Sequence, residues 1–286
     1  MIEYAGRVGI LGCGPAGLAA AHAAAIAGYE PVIFSRKIKS TLYGSQYLHA
    51  PIPGMTSLPP VEVRYRLLGQ YSDYQAKVYG KPMPMVSDEE DEFRQSGSVV
   101  RPAWDIRQTY DALWNTYEPY IQDLEFGRFR DTSYVLHGMG RMVKVYSTIP
   151  RTLLCLYQLQ HSFNHATAWV AGEAPDLGIE FDFRFMDQRT GKANPSNTIY
   201  YDARAHWPWY KVSDTFGHKT IEWPGYLEKP ADYPTASLVR KPLGTDCDCW
   251  PQITKLGRYG AWDRSQLVHH AFGRVAEDLA ALELES

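Results

Sequence analysis

The chain has 286 residues, 45% of them apolar and 21% charged, as in a globular protein with a sizeable core. Its formal net charge of −3 gives no general reason to expect nucleic acid or an acidic membrane as a partner. No apolar run approaches the roughly 20 residues of a membrane span, and the N-terminus lacks the basic region of a signal peptide.

In chain order, Arg7-Val8-Gly9-Ile10-Leu11 forms a short apolar strand that runs into Gly12-Cys13-Gly14-Pro15-Ala16-Gly17. A helix of small residues continues to Ala27, Gly28 stops it, and Pro31-Val32-Ile33-Phe34 follows as a second buried strand. This context turns Gly-x-Gly-x-x-Gly into a dinucleotide-binding βαβ fingerprint. Gly12 permits the tight turn, Gly14 lets backbone approach a pyrophosphate, and Gly17 lets the helix pack closely on the strand. Pro15 and Ala16 open the helix, whose free N–H groups and positive dipole end face that pyrophosphate. Cys13 occupies a position that needs a small residue.

The end of the second strand ordinarily carries an acid that accepts hydrogen bonds from the adenosine ribose. Here that position is Ser35, followed by Arg36 and Lys37. A serine still bonds a ribose, more weakly than a carboxylate. The basic pair would instead suit a 2′-phosphate, which leaves NADP as the alternative to FAD.

The segment 39–54 is a Gly/Pro-bounded loop of polar and aromatic residues suited to lining a cofactor. The patterns at 61–79 and 104–124 read as helices, so 56–127 is expected to be a mainly helical insertion. Between them, the acidic run 87–92 reads as a solvated loop. Strand character returns at 133–136 and 142–147, and again at 179–185 and 198–201. The basic residues Arg128, Arg130, Arg141, Lys144 and Arg151 would allow a phosphate-bearing substrate, although such runs are usually solvated faces. The chain ends with a helix from 265 to about 284, apolar at Leu267, Val268, Ala271, Phe272, Val275, Leu279 and Leu282. Aromatic residues are abundant, at 20 Tyr and 8 Trp, and Trp207, Trp209 and Tyr210 are candidates for either core or substrate wall. The expected architecture is α/β. A Rossmann-type FAD-binding domain (1–55, 128–155 and 240–286) would carry the helical insertion and a β-rich substrate portion at 156–239.

Four motifs, in order, resemble the two-domain flavoproteins that include amine oxidases, protoporphyrinogen oxidase and UDP-galactopyranose mutase. Gly14-Pro15-Ala16-Gly17-Leu18-Ala19-Ala20-Ala21 is similar to the flavoprotein version of the fingerprint. Gly44-Ser45-Gln46-Tyr47-Leu48-His49 resembles the mutase segment that runs beside the flavin ring. Val145-Tyr146-Ser147-Thr148-Ile149-Pro150 is similar to the segment that re-enters the FAD domain in this group. Gly257-Arg258-Tyr259-Gly260 resembles its C-terminal flavin-approaching motif. These matches cover about a fifth of the chain, which is much shorter than a typical member.

The resemblance implies FAD and an oxidoreductase acting on a small substrate. It places Gly12, Gly14 and Gly17 on the pyrophosphate, and Ser35 and Arg36 beside the ribose. His49 and Tyr47 would lie near the isoalloxazine, and Arg258 near the flavin pyrimidine or the phosphates, where a cation stabilises reduced flavin. A mutase-like, non-redox use of flavin on a nucleotide sugar is the second reading. A cofactor-binding module that senses redox state or binds a partner without turnover is the third. Structural roles for His49 and Arg258 are the plain alternatives.

Four cysteines without a secretory signal point to reduced thiols or metal ligands in a cytoplasmic protein. Cys155 lies six residues before His161, and Cys247 and Cys249 bracket Asp248. These four have the ligand types of a structural Cys₃His zinc site but not the usual knuckle spacing. Free cysteines near a core, or a redox-active Cys247/Cys249 pair, are the alternatives.

Overall fold

A computed structural model describes residues 4–80, 95–123, 142–172 and 197–285. The expected βαβ unit is present: β1 (Arg7–Leu11), α1 (Pro15–Ile26) and β2 (Glu30–Ser35), with Val8 beside Pro31 in parallel register. The chain continues through β3 (Val61–Leu68), α2 (Tyr71–Tyr79), β4 (Ser98–Ala103) and α3 (Ile106–Tyr117). After a tight turn at Glu118–Tyr120 come β5 (Ile121–Asp123), β6 (Lys144–Ser147) and the one-turn α4 (Arg151–Leu154). Then follow β7 (Phe163–Ala171), β8 (Thr198–Asp202), β9 (Lys211–Thr215), β10 (His218–Pro224) and β11 (Ser237–Thr245). The last elements are β12 (Thr254–Lys255), the one-turn α5 (Gly257–Gly260) and the long α6 (Val268–Glu285).

These strands form two sheets. The first has order β12-β6-β1-β2-β5, and every pairing in it is parallel. The second has order β11-β7-β10-β9-β8-β3-β4 and is antiparallel except where β3 meets β8. Alanines 19, 20, 21, 23 and 24 of α1 are all essentially inaccessible. Their short side chains let α1 pack on β1 and β2 while α3 and α6 cover its other faces. From α6 the matching stripe is Ala271, Val275 and Leu279, spaced by four so that all three share one face. Among the described residues, no helix is long and apolar enough to cross a membrane.

The expected helical insertion at 56–127 needs correction. Residues 61–68 form a strand: Val61, Val63, Tyr65 and Leu67 alternate along Val-Glu-Val-Arg-Tyr-Arg-Leu-Leu, a period of two. Gly69, at φ +96°, then turns the chain into α2. With β4, the segment thus gives two strands to the second sheet. The expected helix at 104–124 is confined to Ile106–Tyr117, because Pro119 supplies no N–H to continue it. Its N-cap is Asp105, whose carboxylate accepts hydrogen bonds from the N–H groups of Arg107 and Gln108. Ile121–Asp123 becomes the edge strand of the first sheet, while β11 joins the second, so neither sheet follows the expected boundaries at 127 and 240. Trp207 and Trp209 stack with centroids 5.7 Å apart and pack with Tyr200 and Trp223 as core. The expected strands at 133–136 and 179–185, the acidic run 87–92, and Arg128, Arg130 and Arg141 lie outside the described residues.

Candidate functional site

The glycine-rich loop has the geometry its residues require. Gly12 has φ +102°, and its N–H donates to the Phe34 carbonyl at 2.9 Å. A Cβ on Gly17 would lie 2.0 Å from the Gly12 carbonyl oxygen, so only glycine lets α1 start this close to β1. A Cβ on Gly14 would meet nothing nearer than Ser40 Oγ at 3.7 Å. Gly14, Pro15 and Ala16 are half-buried in a loop whose other residues are buried. Gly14 is also the N-cap of α1, with no side chain bonding the first N–H groups. The helix therefore presents uncapped donors over an open cradle, which fits a pyrophosphate.

Two distant segments converge on this loop. In the first, the Thr148 N–H and hydroxyl both donate to the Leu11 carbonyl, at 2.8 and 3.1 Å. In the second, Gly257 at φ +66° approaches so closely that a Cβ there would lie 2.7 Å from the Ala16 Cβ. Gly260 rests equally tightly on the Ser147 carbonyl. The loop is braced from below by Tyr110 of α3, whose hydroxyl donates to the Cys13 carbonyl at 2.9 Å and accepts from the Ser40 N–H at 3.0 Å. Sequence reasoning missed Tyr110, because nothing local links it to a loop 97 residues away.

At the end of β2, Ser35 is buried, and its register partner on β5 is Asp123. Asp123 accepts a hydrogen bond from the Lys37 N–H at 3.2 Å, and the Lys37 ammonium pairs with Glu118 at 3.0 Å. A carboxylate thus stands one strand away from the expected position, and one of the two cations considered for a 2′-phosphate already has a partner.

The segment 44–49 is fixed between the two sheets. Leu48 and Trp104 exchange backbone hydrogen bonds at 2.9 and 3.0 Å, and Arg107 donates to the Gly44 carbonyl at 3.0 Å. The Gln46 side chain donates to the Tyr43 carbonyl at 2.7 Å, closing the turn. The Ser45 hydroxyl is buried with no hydrogen-bond partner among the described residues, as is that of Ser147. An orphaned buried hydroxyl in the segment beside the glycine-rich loop fits the addition of a polar group there. The Tyr47 and His49 rings stack at 4.8 Å, and His49 faces His269 at 6.2 Å. Burial, with His270 and His49 nearby, pushes the His269 pKa down to about 4, so this histidine is neutral at pH 7.

Behind Gly44 lies a cluster that the sequence reading did not anticipate. Glu222 of β10 is buried, and its Oε1 would be 3.0 Å from a Cβ on Gly44. Lys211 donates to Oε1 at 3.0 Å, Lys241 to Oε2 at 2.6 Å, and the Tyr210 hydroxyl to Oε2 at 2.7 Å. Burial alone would raise the Glu222 pKa, but the two ammonium groups hold it well below the usual carboxylate range. Burial pulls the Lys241 ammonium the other way, below the ordinary lysine value. Two cations around one carboxylate leave a net positive charge. Arg258 adds to it, since its charge is felt at Lys241, while the Tyr259 hydroxyl donates to the Arg240 carbonyl on β11 at 2.9 Å. The 44–49 segment and α5 therefore meet the second sheet at the same charged cluster. The one signal in the sequence was a glutamate set between the apolar Ile221 and Trp223.

Cys155, His161, Cys247 and Cys249 also come together, with Cys155 at the C-terminal end of α4.

No family model and no curated protein matches the sequence. Solved structures do match the fold. The p-nitrophenol 4-monooxygenase PnpA from Pseudomonas putida DLL-E4 is similar over 100% of this chain and 82% of its own, with a TM-score of 0.53 and 12% identity. Aklavinone-11 hydroxylase, crystallised with FAD and aklavinone, is similar over 99% of this chain at a TM-score of 0.52 and 12% identity. This chain spans only 64% of that hydroxylase. Reduced UDP-galactopyranose mutase is similar over 99% of this chain and 95% of its own, with a TM-score of 0.51 and 10% identity. The chain thus has the α/β fold of these flavoproteins: a Rossmann-type domain with a β-rich second part.

Proposed function

We propose that this protein is an FAD-dependent oxidoreductase acting on a small substrate held between the Rossmann sheet and the second sheet. The observation that carries this reading is convergence: segments 147–150 and 257–260 close on the glycine-rich loop, and 44–49 leads from it to Glu222. In this reading Gly12, Gly14, Pro15, Ala16 and Gly17 hold the pyrophosphate, and Ser35 and Arg36 flank the adenosine ribose with Asp123 alongside. Gly44, Ser45, Gln46, Tyr47 and His49 line the ring system, and Arg258 and Tyr259 close over it from α5. FAD would supply the hydride or electron transfer. The protein's part is to orient the substrate, exclude water and set the charge around the reacting atoms. The net positive charge of Lys211, Lys241 and Arg258 around Glu222 suits an anionic reduced cofactor or an anionic substrate. NADP is the weaker alternative, because Lys37 is engaged by Glu118.

The test is an absorption spectrum of the purified protein, followed by identification of the cofactor released on denaturation. Flavin bands, FAD in the supernatant, and bleaching by a reductant with recovery on adding an acceptor would support the reading. A colourless protein that resists reconstitution with FAD but binds NADP(H) would overturn it. The mutase-like reading draws on the fold likeness over 95% of the mutase chain. It requires activity on a nucleotide sugar only after reduction, with no net electron consumption. A binding module would retain cofactor and turn over nothing.

A further inference from the structure

We propose that Cys155, His161, Cys247 and Cys249 bind one structural zinc ion that staples together two of the chain's crossings between the sheets. The ligand atoms of these four residues all lie within 4.8 Å of one another. Cys155 Sγ is 4.0 Å from Cys249 Sγ and 3.1 Å from His161 Nδ1, and Cys249 Sγ is 3.7 Å from the same nitrogen. Zinc–sulfur and zinc–nitrogen bonds of about 2.3 and 2.0 Å in a tetrahedron require sulfur–sulfur and sulfur–nitrogen edges of about 3.8 and 3.5 Å. The two sulfur–nitrogen separations bracket the second value, and the sulfur–sulfur separation lies close above the first. A disulfide, at about 2.05 Å between sulfurs, is a different geometry, and all four cysteines of the chain are free.

The surroundings are those of a closed site. The three ligating cysteines are buried, and Phe163 and Trp250 cover them. His161 turns Nδ1 toward the sulfurs, while its Nε2 faces outward toward the exposed Asp248 at 3.8 Å. The backbone holds this arrangement from several directions. Asp246 accepts from the Ser162 N–H at 2.7 Å, Thr245 donates to the Ser162 carbonyl at 2.6 Å, and the Trp250 indole donates to the Leu154 carbonyl at 2.9 Å. Arg151 donates to the Cys247 carbonyl, and the Lys255 ammonium lies within range of Cys247 and Cys249. These two cations offset the single negative charge of a zinc tris-thiolate.

The placement in the fold gives the site its task. The chain crosses between the sheets from β6 to β7 through Cys155 and His161. It crosses back from β11 to β12 through Cys247 and Cys249. One ion binding both crossings fixes how the second sheet sits on the first, and it anchors the ends of segments 147–150 and 257–260. Four filled protein positions leave none open for substrate, so the metal is structural.

Metal analysis of the full chain, purified without chelator from zinc-supplemented culture, should find about one zinc per chain. Replacing zinc with Co²⁺ should give thiolate-to-cobalt charge-transfer absorption of a tetrahedral site. Cys249→Ser and His161→Ala should lose the metal. Cys13→Ser, outside the cluster, should keep it. His161→Cys preserves four soft ligands and should also keep it, a rescue that mere core packing would not produce. Zinc well below stoichiometry together with no cobalt charge-transfer signal, iron in its place, or a Cys247–Cys249 disulfide in freshly purified protein would each overturn the proposal. None of these readouts depends on flavin content, so they are independent of the functional reading.

Discussion

Replacing Glu222 by glutamine is the most informative single change in this molecule. The carboxylate is 4% exposed, and it accepts from Lys211 at 3.0 Å, Lys241 at 2.6 Å and Tyr210 at 2.7 Å. Glutamine keeps the shape but removes the charge, and its amide presents N–H donors where donors already converge. Two half-hidden ammonium groups are then left without their counter-ion. Breaking a buried pair from one side costs about 3–5 kcal/mol, and at roughly 2–4 °C per kcal/mol this lowers the melting temperature by roughly 6–20 °C. Because the folded-state pKa of Glu222 is depressed, its contribution is present above the usual carboxylate range and lost as pH falls through the folded value. The gap between wild type and Glu222→Gln should therefore narrow on acidification. Adding Lys241→Met to Glu222→Gln should recover part of the loss, since it removes one stranded charge. Thermal denaturation of the three proteins across pH is the assay. A single variant within about 0.5 kcal/mol of wild type would refute the argument, because it would mean the cluster is solvated rather than buried.

The other expectations are simpler. Gly17→Ala puts a Cβ 2.0 Å from the Gly12 carbonyl oxygen; on the proposed function, about 1–3 kcal/mol of overpacking should weaken retention of FAD by roughly 5- to 150-fold, read by flavin content after gel filtration. Gly273→Ala, in α6 with open space around the added methyl, should do the opposite and stabilise by about 0.5–1 kcal/mol in chemical denaturation; a loss would show that this helix face is covered. Tyr110→Phe deletes the donor to Cys13 and the acceptor for Ser40 and should cost about 1–3 kcal/mol, with looser cofactor binding at unchanged fold by circular dichroism. For His269, the unfolded chain takes up a proton near the ordinary histidine value while the folded site resists it down to about 4. Stability should then fall as pH drops from about 6.5 to 4, by about 1–2 kcal/mol after allowing for partial exposure. His269→Gln should flatten that slope, and an unchanged acid limb would assign it elsewhere.

Residues 7–34 were legible because their demands are local. A positive φ at Gly12 and the close start of α1 at Gly17 constrain residues within a few positions of each other, and composition alone expresses such constraints. The C-terminal stripe Ala271, Val275 and Leu279 was readable for the same reason, as a period along one helix. Segment 61–68 was misread as helix because its alternating residues sit among aromatics that also fit a helical period. Its pairing with both β4 and β8, strands far away in the chain, decided the outcome. The residues of the Cys/His cluster were visible as residue types, yet their spacing matched no knuckle, because two separate crossings supply them.

By itself, the sequence determined the glycine-rich loop, the thin helix behind it and the chemistry available at each motif. These depend on steric and dihedral preferences that act over one or two turns of chain. Only the tertiary structure brought Tyr110 beneath Cys13, Asp123 beside Ser35, and Lys211 and Lys241 around Glu222. Those meetings depend on strand register and layer packing, which are set by burial of the whole apolar pattern and leave no mark on the residues nearby.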